Sequence, residues 1–229
     1  MFKGDKYYFI GIGGIGMSSI AKYLVSNNFK VGGYDLTKTD ITKNLEKSNV
    51  EINYKDELKS IPSSFKNKSV VVIFTPAITI KNKQLCFFRK QGNQIFKRAE
   101  FLGYLTKKFK TIAIAGTHGK TTTAAIVTHL FYKTRQSFTA FVGGVLNEFN
   151  SNVIINGNKY AIVEADEYDR SFLNLNPSMG IITSIDSDHL DIYGNFEEVK
   201  KSFSEFIKKI KNEVVVSKSL GINGITYGV

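Results

Sequence analysis

Short apolar runs recur along the chain, each closed by glycine or by polar residues. Tyr7-Tyr-Phe-Ile10, Lys30-Val-Gly-Gly-Tyr34, Val70-Val-Val-Ile-Phe74, Ile95-Phe96, Thr111-Ile-Ala-Ile114, Tyr160-Ala-Ile-Val163, Gly180-Ile-Ile-Thr183 and Glu213-Val-Val-Val-Ser217 read as strands. Val70–Phe74 is apolar at every position, the pattern of a parallel strand covered on both faces. Between the runs, apolar residues fall at helical spacing: Met17, Ile20, Ala21 and Leu24; then Ile126, Val127, Leu130 and Phe131; then Val199, Phe203, Phe206, Ile207 and Ile210. Ala99–Leu105 reads as a short helix, and Asn195 with Glu198 is a variant capping box for the last long one. Strands alternating with helices make the class α/β.

Several strand ends carry turns with chemistry. Gly11-Ile-Gly13-Gly14-Ile-Gly16 follows the first strand and opens a helix, and Asp35 closes the second strand 24 residues after Gly11. That is the fingerprint of a Rossmann-like domain, whose glycines let backbone approach a diphosphate. Alone it admits NAD, FAD or any nucleotide diphosphate, and Asp35 reads equally as a solvated strand-end residue. Thr75-Pro-Ala-Ile78 falls on the same carboxyl edge, where open α/β sheets bind ligands, and as a Pro-set turn it needs none.

The stretch Ala115-Gly116-Thr117-His118-Gly119-Lys120-Thr121-Thr122-Thr123 joins a buried strand to a helix start. Backbone N–H groups of such a turn converge on an anion, and the helix N-terminus adds partial positive charge. Lys120 supplies a full charge for β/γ-phosphates, and the Thr121 hydroxyl is placed to ligate Mg²⁺. The common P-loop would need glycine at position 114, where Ile114 stands, so this loop is shorter. Glu164, at the end of Tyr160–Val163, is where a nucleotide-bound Mg²⁺ needs a hard oxygen. His189 stands between Asp188 and Asp191 after another buried strand. The fold expected is an N-terminal Rossmann-like parallel-sheet domain over residues 1–106, then a P-loop-type ATP-binding α/β central domain over residues 107–229.

Gly116–Thr122 resembles the ATP loop of the Mur ligases, which join amino acids to peptidoglycan precursors. Glu164-Ala-Asp-Glu-Tyr-Asp-Arg-Ser-Phe172 resembles their E-A-D-E block, and Asp186-Ser-Asp-His-Leu-Asp-Ile-Tyr193 their D-H-x-D motif. Phe141-Val-Gly-Gly144 resembles their glycine pair, and Thr75–Ile78 the loop beside the bound UDP-sugar. The likeness runs from Tyr7 to about Phe206.

The resemblance implies that Gly116, Thr117, His118, Gly119, Lys120, Thr121 and Thr122 bind ATP. Gly11, Gly13, Gly14, Gly16, Asp35 and Thr75 would hold the UDP-sugar. One Mg²⁺ falls to Thr121 and Glu164, a second to Glu164 and His189, and the catalytic residues are Lys120, Glu164 and His189. The implied reaction moves the γ-phosphoryl group of ATP to the lactyl carboxylate of UDP-N-acetylmuramate, and L-alanine attacks the resulting acyl phosphate. A tripeptide amine fits the same motifs. A nucleotide-sugar-binding protein without ligation would share the first domain but has no use for Lys120, Glu164 and His189. Ser184 departs from the asparagine of many relatives. The family carries a third, C-terminal domain that completes the amine site. Nothing here is long enough to be it, so residues 1–229 alone are expected to bind ATP and UDP-sugar with little ligation.

Composition changes this picture little. Apolar residues make up 42%, enough for globular cores, and 13% aromatics argue against disorder. Net charge is +11, but the lysines are scattered without basic runs, so nucleic acid is not the expected partner. Cys86 is the single cysteine, which precludes an intramolecular disulfide, and beside Phe87 and Phe88 it reads as a small buried hydrophobe. The first apolar run breaks at Gly11, unlike a signal peptide, and no apolar stretch approaches the roughly 18 residues of a membrane span. The expected location is the cytoplasm, with no membrane partner. Oligomeric state is left open.

Overall fold

The structure is a computed structural model and describes residues 4–228. It contains two compact units that divide between Phe101 and Leu102.

The first unit is a five-stranded, wholly parallel sheet in the order β3-β2-β1-β4-β5. In chain order its elements are β1 (Lys6–Ile10), α1 (Ile15–Ser26), β2 (Lys30–Tyr34), α2 (Asp40–Lys47), β3 (Glu51–Asn53), β4 (Val71–Phe74), α3 (Lys83–Gln91) and β5 (Gln94–Lys97). Then α4 (Arg98–Thr106) runs across the division. Strand order reverses at β1, and its neighbours β2 and β4 leave a crevice at their carboxyl ends. On one face of the sheet Tyr8, Ile10, Phe65, Val72, Leu85 and Phe88 form a dry cluster. The Tyr8 hydroxyl is inside it, donating to Gln84 Oε1 at 2.7 Å and accepting from Asn53 Nδ2 at 2.6 Å. Burial pushes its pKa well above the usual phenol range.

The second unit is a seven-stranded sheet, β12-β11-β10-β6-β9-β7-β8, parallel throughout except for the antiparallel β7–β8 edge. Its elements are β6 (Lys110–Ala115), α5 (Lys120–Lys133), β7 (Phe138–Leu146), β8 (Ser151–Ile155), β9 (Tyr160–Ala165), β10 (Met179–Ile182), α6 (Leu190–Tyr193), α7 (Phe196–Lys208), β11 (Glu213–Ser217) and β12 (Ile225–Tyr227). Here the switch point is β6, flanked by β9 and β10. One core packs α5 against the sheet through Ala124, Val127 and Phe131 with Ile114, Phe138, Ala140 and Ile162. Phe172, Phe203 and Phe206 form another, with Phe172 stacked on Phe206 at 4.7 Å.

Three expectations change. Of the apolar residues spaced along α5, Ile126 and Leu130 are each 55% exposed. The helix buries its small residues Ala124 and Thr128, while Val127 and Phe131 of the expected stripe pack against the core. Cys86 is half-buried, and its thiol lies 3.3 Å from the Ile80 carbonyl. Ile210 lies beyond the end of α7, where its side chain fills the space left by Gly180. Among the described residues no helix is long and apolar enough to cross a membrane.

Candidate functional site

In the first unit, the chain leaves β1 and folds over the end of β2. Gly11 and Ile12 donate their N–H groups to the Tyr34 carbonyl at 2.8 and 3.1 Å. Gly11 has φ +86°, and any side chain there would run into the Thr75 methyl group, so this glycine is obligatory. Thr75 N–H in turn bonds the Ile10 carbonyl at 3.2 Å, which ties the β4 loop to the turn. Asp35 braces the same turn: Oδ2 accepts from Gly13 N–H at 2.7 Å and Oδ1 from Thr37 N–H at 3.0 Å. Gly14 precedes α1 in extended conformation without a side-chain cap, so the first-turn amides lack an intrahelical acceptor. The structure thus gathers Gly11, Gly13, Gly14, Gly16, Asp35 and Thr75 around one carboxyl-edge crevice. Both Asp35 oxygens are already engaged with backbone.

The second unit builds its loop from the register of three strands. β6 pairs with β9 as Ile114↔Glu164 and with β10 as Ala115↔Ile182. Glu164 therefore stands beside the strand that feeds the loop, and Thr183 and Ser184 lie against Gly116. Gly116 has φ +144°, and a methyl group there would strike the Thr183 hydroxyl and come within 2.8 Å of Ser184 N. Thr183 donates to the carbonyls of Ala115 and His118. Ser184 Oγ accepts from His118 N–H at 2.9 Å, and Thr117 Oγ1 donates to Asp186 at 3.1 Å. The His118 ring stays on the surface, 70% exposed and 3.8 Å from Asp186. Gly119, at φ +80°, is the uncapped N-cap of α5, and Thr122 lies exposed on its first turn.

Thr121 Oγ1 donates to Glu164 Oε2 at 3.1 Å, and Gly143 N–H donates to Oε1 at 2.8 Å. Burial raises the Glu164 pKa above the ordinary carboxylate value, and the Gly143 and Thr121 hydrogen bonds and the charge of Lys120 offset part of that. Lys120 folds back into the loop. Its ammonium donates to the Gly116 carbonyl and to both oxygens of Glu167, at 2.9 and 2.8 Å. His189 also faces Glu167, with Nε2 3.6 Å from Oε1, and its ring meets Tyr168 edge-on at 5.3 Å. The structure therefore brings Thr121 to Glu164 and places His189 with Glu167.

Glu167 was not singled out from the sequence, where it is one of four carboxylates within six residues. Only its partners, distant in sequence, reveal it.

Among the described residues no group of three His, Cys, Asp or Glu side chains could hold a metal ion. Mg²⁺ on a nucleotide needs no such cage, because phosphates and water supply most of its ligands and protein adds one or two. The Thr121 hydroxyl and Glu164 carboxylate beside the loop fit that requirement.

Residues 6–110 match the Mur ligase family, catalytic domain, and residues 114–219 the Mur ligase middle domain. The UDP-N-acetylmuramate–L-alanine ligase of Christiangramia forsetii is 45% identical over 227 residues, which is 97% of this chain and 50% of that protein. The ligase of the same name from Cytophaga hutchinsonii is 44% identical over 221 residues, 94% of this chain and 47% of its own length. A solved UDP-N-acetylmuramate-alanine ligase from Thermotoga maritima superposes with TM-score 0.80 at 30% identity, over 92% of this chain and 48% of that one. The fold also matches UDP-N-acetylmuramate:L-alanyl-gamma-D-glutamyl-meso-diaminopimelate ligase from Neisseria meningitides, with TM-score 0.85 at 20% identity, over 95% of this chain and 74% of that one. This chain spans about half the length of the curated relatives it matches. With the two domains matched in order and both switch-point sites built as described, the chain belongs to the Mur ligase family.

Proposed function

We propose that this chain provides the sugar-nucleotide and ATP sites of a ligase that joins L-alanine to the lactyl carboxylate of UDP-N-acetylmuramate. One observation carries the reading: the glycine loop opens onto the uncapped start of α5, with Thr121 and Glu164 held 3.1 Å apart beside it. The relatives at 44–45% identity, named for this reaction, support the choice of substrates.

A carboxylate resists attack by an amine because oxide is a poor leaving group. Transfer of the γ-phosphoryl group gives an acyl phosphate, which amines attack readily, and the protein's part is positioning and charge neutralisation. The α5 N-terminus and Lys120 would hold the phosphates. Thr121 and Glu164 would hold Mg²⁺, which neutralises phosphate charge when bound. The first-unit glycine turn would take the diphosphate of UDP-N-acetylmuramate, with Asp35 fixing the turn. His189 would serve a second metal together with Glu164; in this structure its ring faces Glu167.

Calorimetric titration of the chain with ATP·Mg²⁺, UDP-N-acetylmuramate and NADH tests this. Binding of the first two is expected, with UDP-N-acetylmuramate binding lost in Gly11→Val and NADH silent. Tight NADH binding with no response to UDP-N-acetylmuramate would defeat the reading.

A further inference from the structure

Glu167 lies two residues past β9 with 1% of its side chain exposed. A carboxylate buried that deeply is costly unless paired. Its side-chain partners come from two other segments: Lys120 on the phosphate loop, with two hydrogen bonds, and His189 after β10. Its backbone is pinned as well, since the Tyr193 hydroxyl donates to the Glu167 carbonyl. Just beyond, Asp169 and Arg170 follow one another in left-handed conformation at φ +52° and +54°. Non-glycine residues keep that costly path only where their surroundings enforce it.

The lysine side of the pair is the informative one. An ammonium has three N–H donors. Here they serve the Gly116 carbonyl and the two Glu167 oxygens, with the Thr117 carbonyl a longer contact at 3.4 Å. No donor is left over, so a phosphate oxygen reaches Lys120 only by displacing one of these acceptors. The Gly116 carbonyl belongs to the loop itself and stays. The exchangeable acceptor is Glu167, whose carboxylate matches a phosphate edge in charge and in offering two oxygens.

We infer that Glu167 is a positioning residue that holds the phosphate-loop lysine while nucleotide is absent and yields it to the nucleotide's phosphates on binding. This rests on the ATP-binding reading above. Glu167 then acts through Lys120 and touches no substrate. Its carboxylate does two opposed things: it keeps Lys120 ordered and it competes with the ligand. The competition lowers apparent affinity by the fraction of molecules in which Lys120 is tied up.

The test is the affinity of Glu167→Gln for ATP·Mg²⁺ by calorimetry, beside the wild-type chain. Glutamine keeps the shape and removes the charge, so it should bind ATP·Mg²⁺ at least about fivefold tighter, because a charge-assisted bond to Lys120 is replaced by a weaker neutral one. A merely structural role moves affinity the other way, so equal or weaker binding by a variant with wild-type circular dichroism overturns the inference. Should the variant not fold, a crystal structure of the wild-type chain with a non-hydrolysable ATP analogue decides. Lys120 on the phosphates and beyond hydrogen-bond reach of Glu167 supports the exchange, and both bonds retained refutes it. No ATP binding by the wild type would instead remove the functional reading itself, so the two failures are distinct.

Discussion

Lys120→Met removes the ammonium and keeps most of the side chain's bulk. The consequence is asymmetric, because Lys120 is 18% exposed whereas Glu167 is 1% exposed. Without the lysine, the one charged partner left to Glu167 among the described residues is His189, at 3.6 Å, and its carboxylate sits where water hardly reaches. Breaking a buried pair from one side costs about 3–5 kcal/mol, and the partial exposure of Lys120 puts this case near 3 kcal/mol. The double variant Lys120→Met/Glu167→Gln leaves no buried charge and should recover most of that loss, giving a coupling of about 2 kcal/mol in a double-mutant cycle. Urea unfolding of the nucleotide-free chain, followed by far-ultraviolet circular dichroism, measures each corner of the cycle. Lys120→Met should also weaken ATP·Mg²⁺ at least tenfold, since a charge-assisted contact to phosphate contributes about 1.5–3 kcal/mol. A stability loss under about 0.5 kcal/mol, the range of exposed ion pairs, would refute the argument from burial. Unchanged ATP affinity would refute the role given to Lys120.

Other perturbations test other parts of the fold. Gly116→Ala places a methyl group against Thr183 and Ser184 at φ +144°, so it should cost about 2–4 kcal/mol of strain and lost hydrogen bonding and abolish ATP·Mg²⁺ binding; a variant with wild-type melting and binding would show the loop to be pliant. Burial raises the Glu164 pKa in the fold, so its contribution to stability is fully present below the unfolded carboxylate pKa and is lost as pH rises through the raised one. Glu164→Gln should therefore melt higher than the wild type at neutral pH while losing Mg²⁺-dependent nucleotide binding. In the wild type that binding should weaken as pH falls through the raised pKa, and a pH-independent Mg²⁺ requirement would contradict this. Tyr8→Phe leaves Gln84 Oε1 without its donor inside the first-unit core and should cost about 1–3 kcal/mol by urea unfolding, with no change in ATP binding.

Much of the two candidate sites was legible residue by residue. The glycine turns and the strands before them stood out because apolar runs and left-handed positions leave local marks. The helix start at Asn195 did so too, and its side chain caps the Glu198 amide at 3.0 Å. Other elements left weaker marks. α2 buries only Thr42 and Leu45, and α3 opens on polar residues, so the lysine-rich segments around them hid both helices. β8 and the exposed β12 sit at sheet edges, where one neighbour and partial burial impose little pattern.

The sequence by itself determined which residues share a face and where the chain turns, since both follow from backbone periodicity and side-chain sterics within a few residues. Only the tertiary structure decided what covers each face. It turned Ile126 and Leu130 of α5 to solvent and buried the small residues Ala124 and Thr128. By placing β6 between β9 and β10 it brought Glu164 beside Thr121, and it paired Lys120 with Glu167 and His189 with the same carboxylate. Those partners lie far apart in the sequence, and a carboxylate carries no local sign of whether water or a lysine will meet it. That is settled by the order in which strands pack, which no stretch of the chain encodes alone.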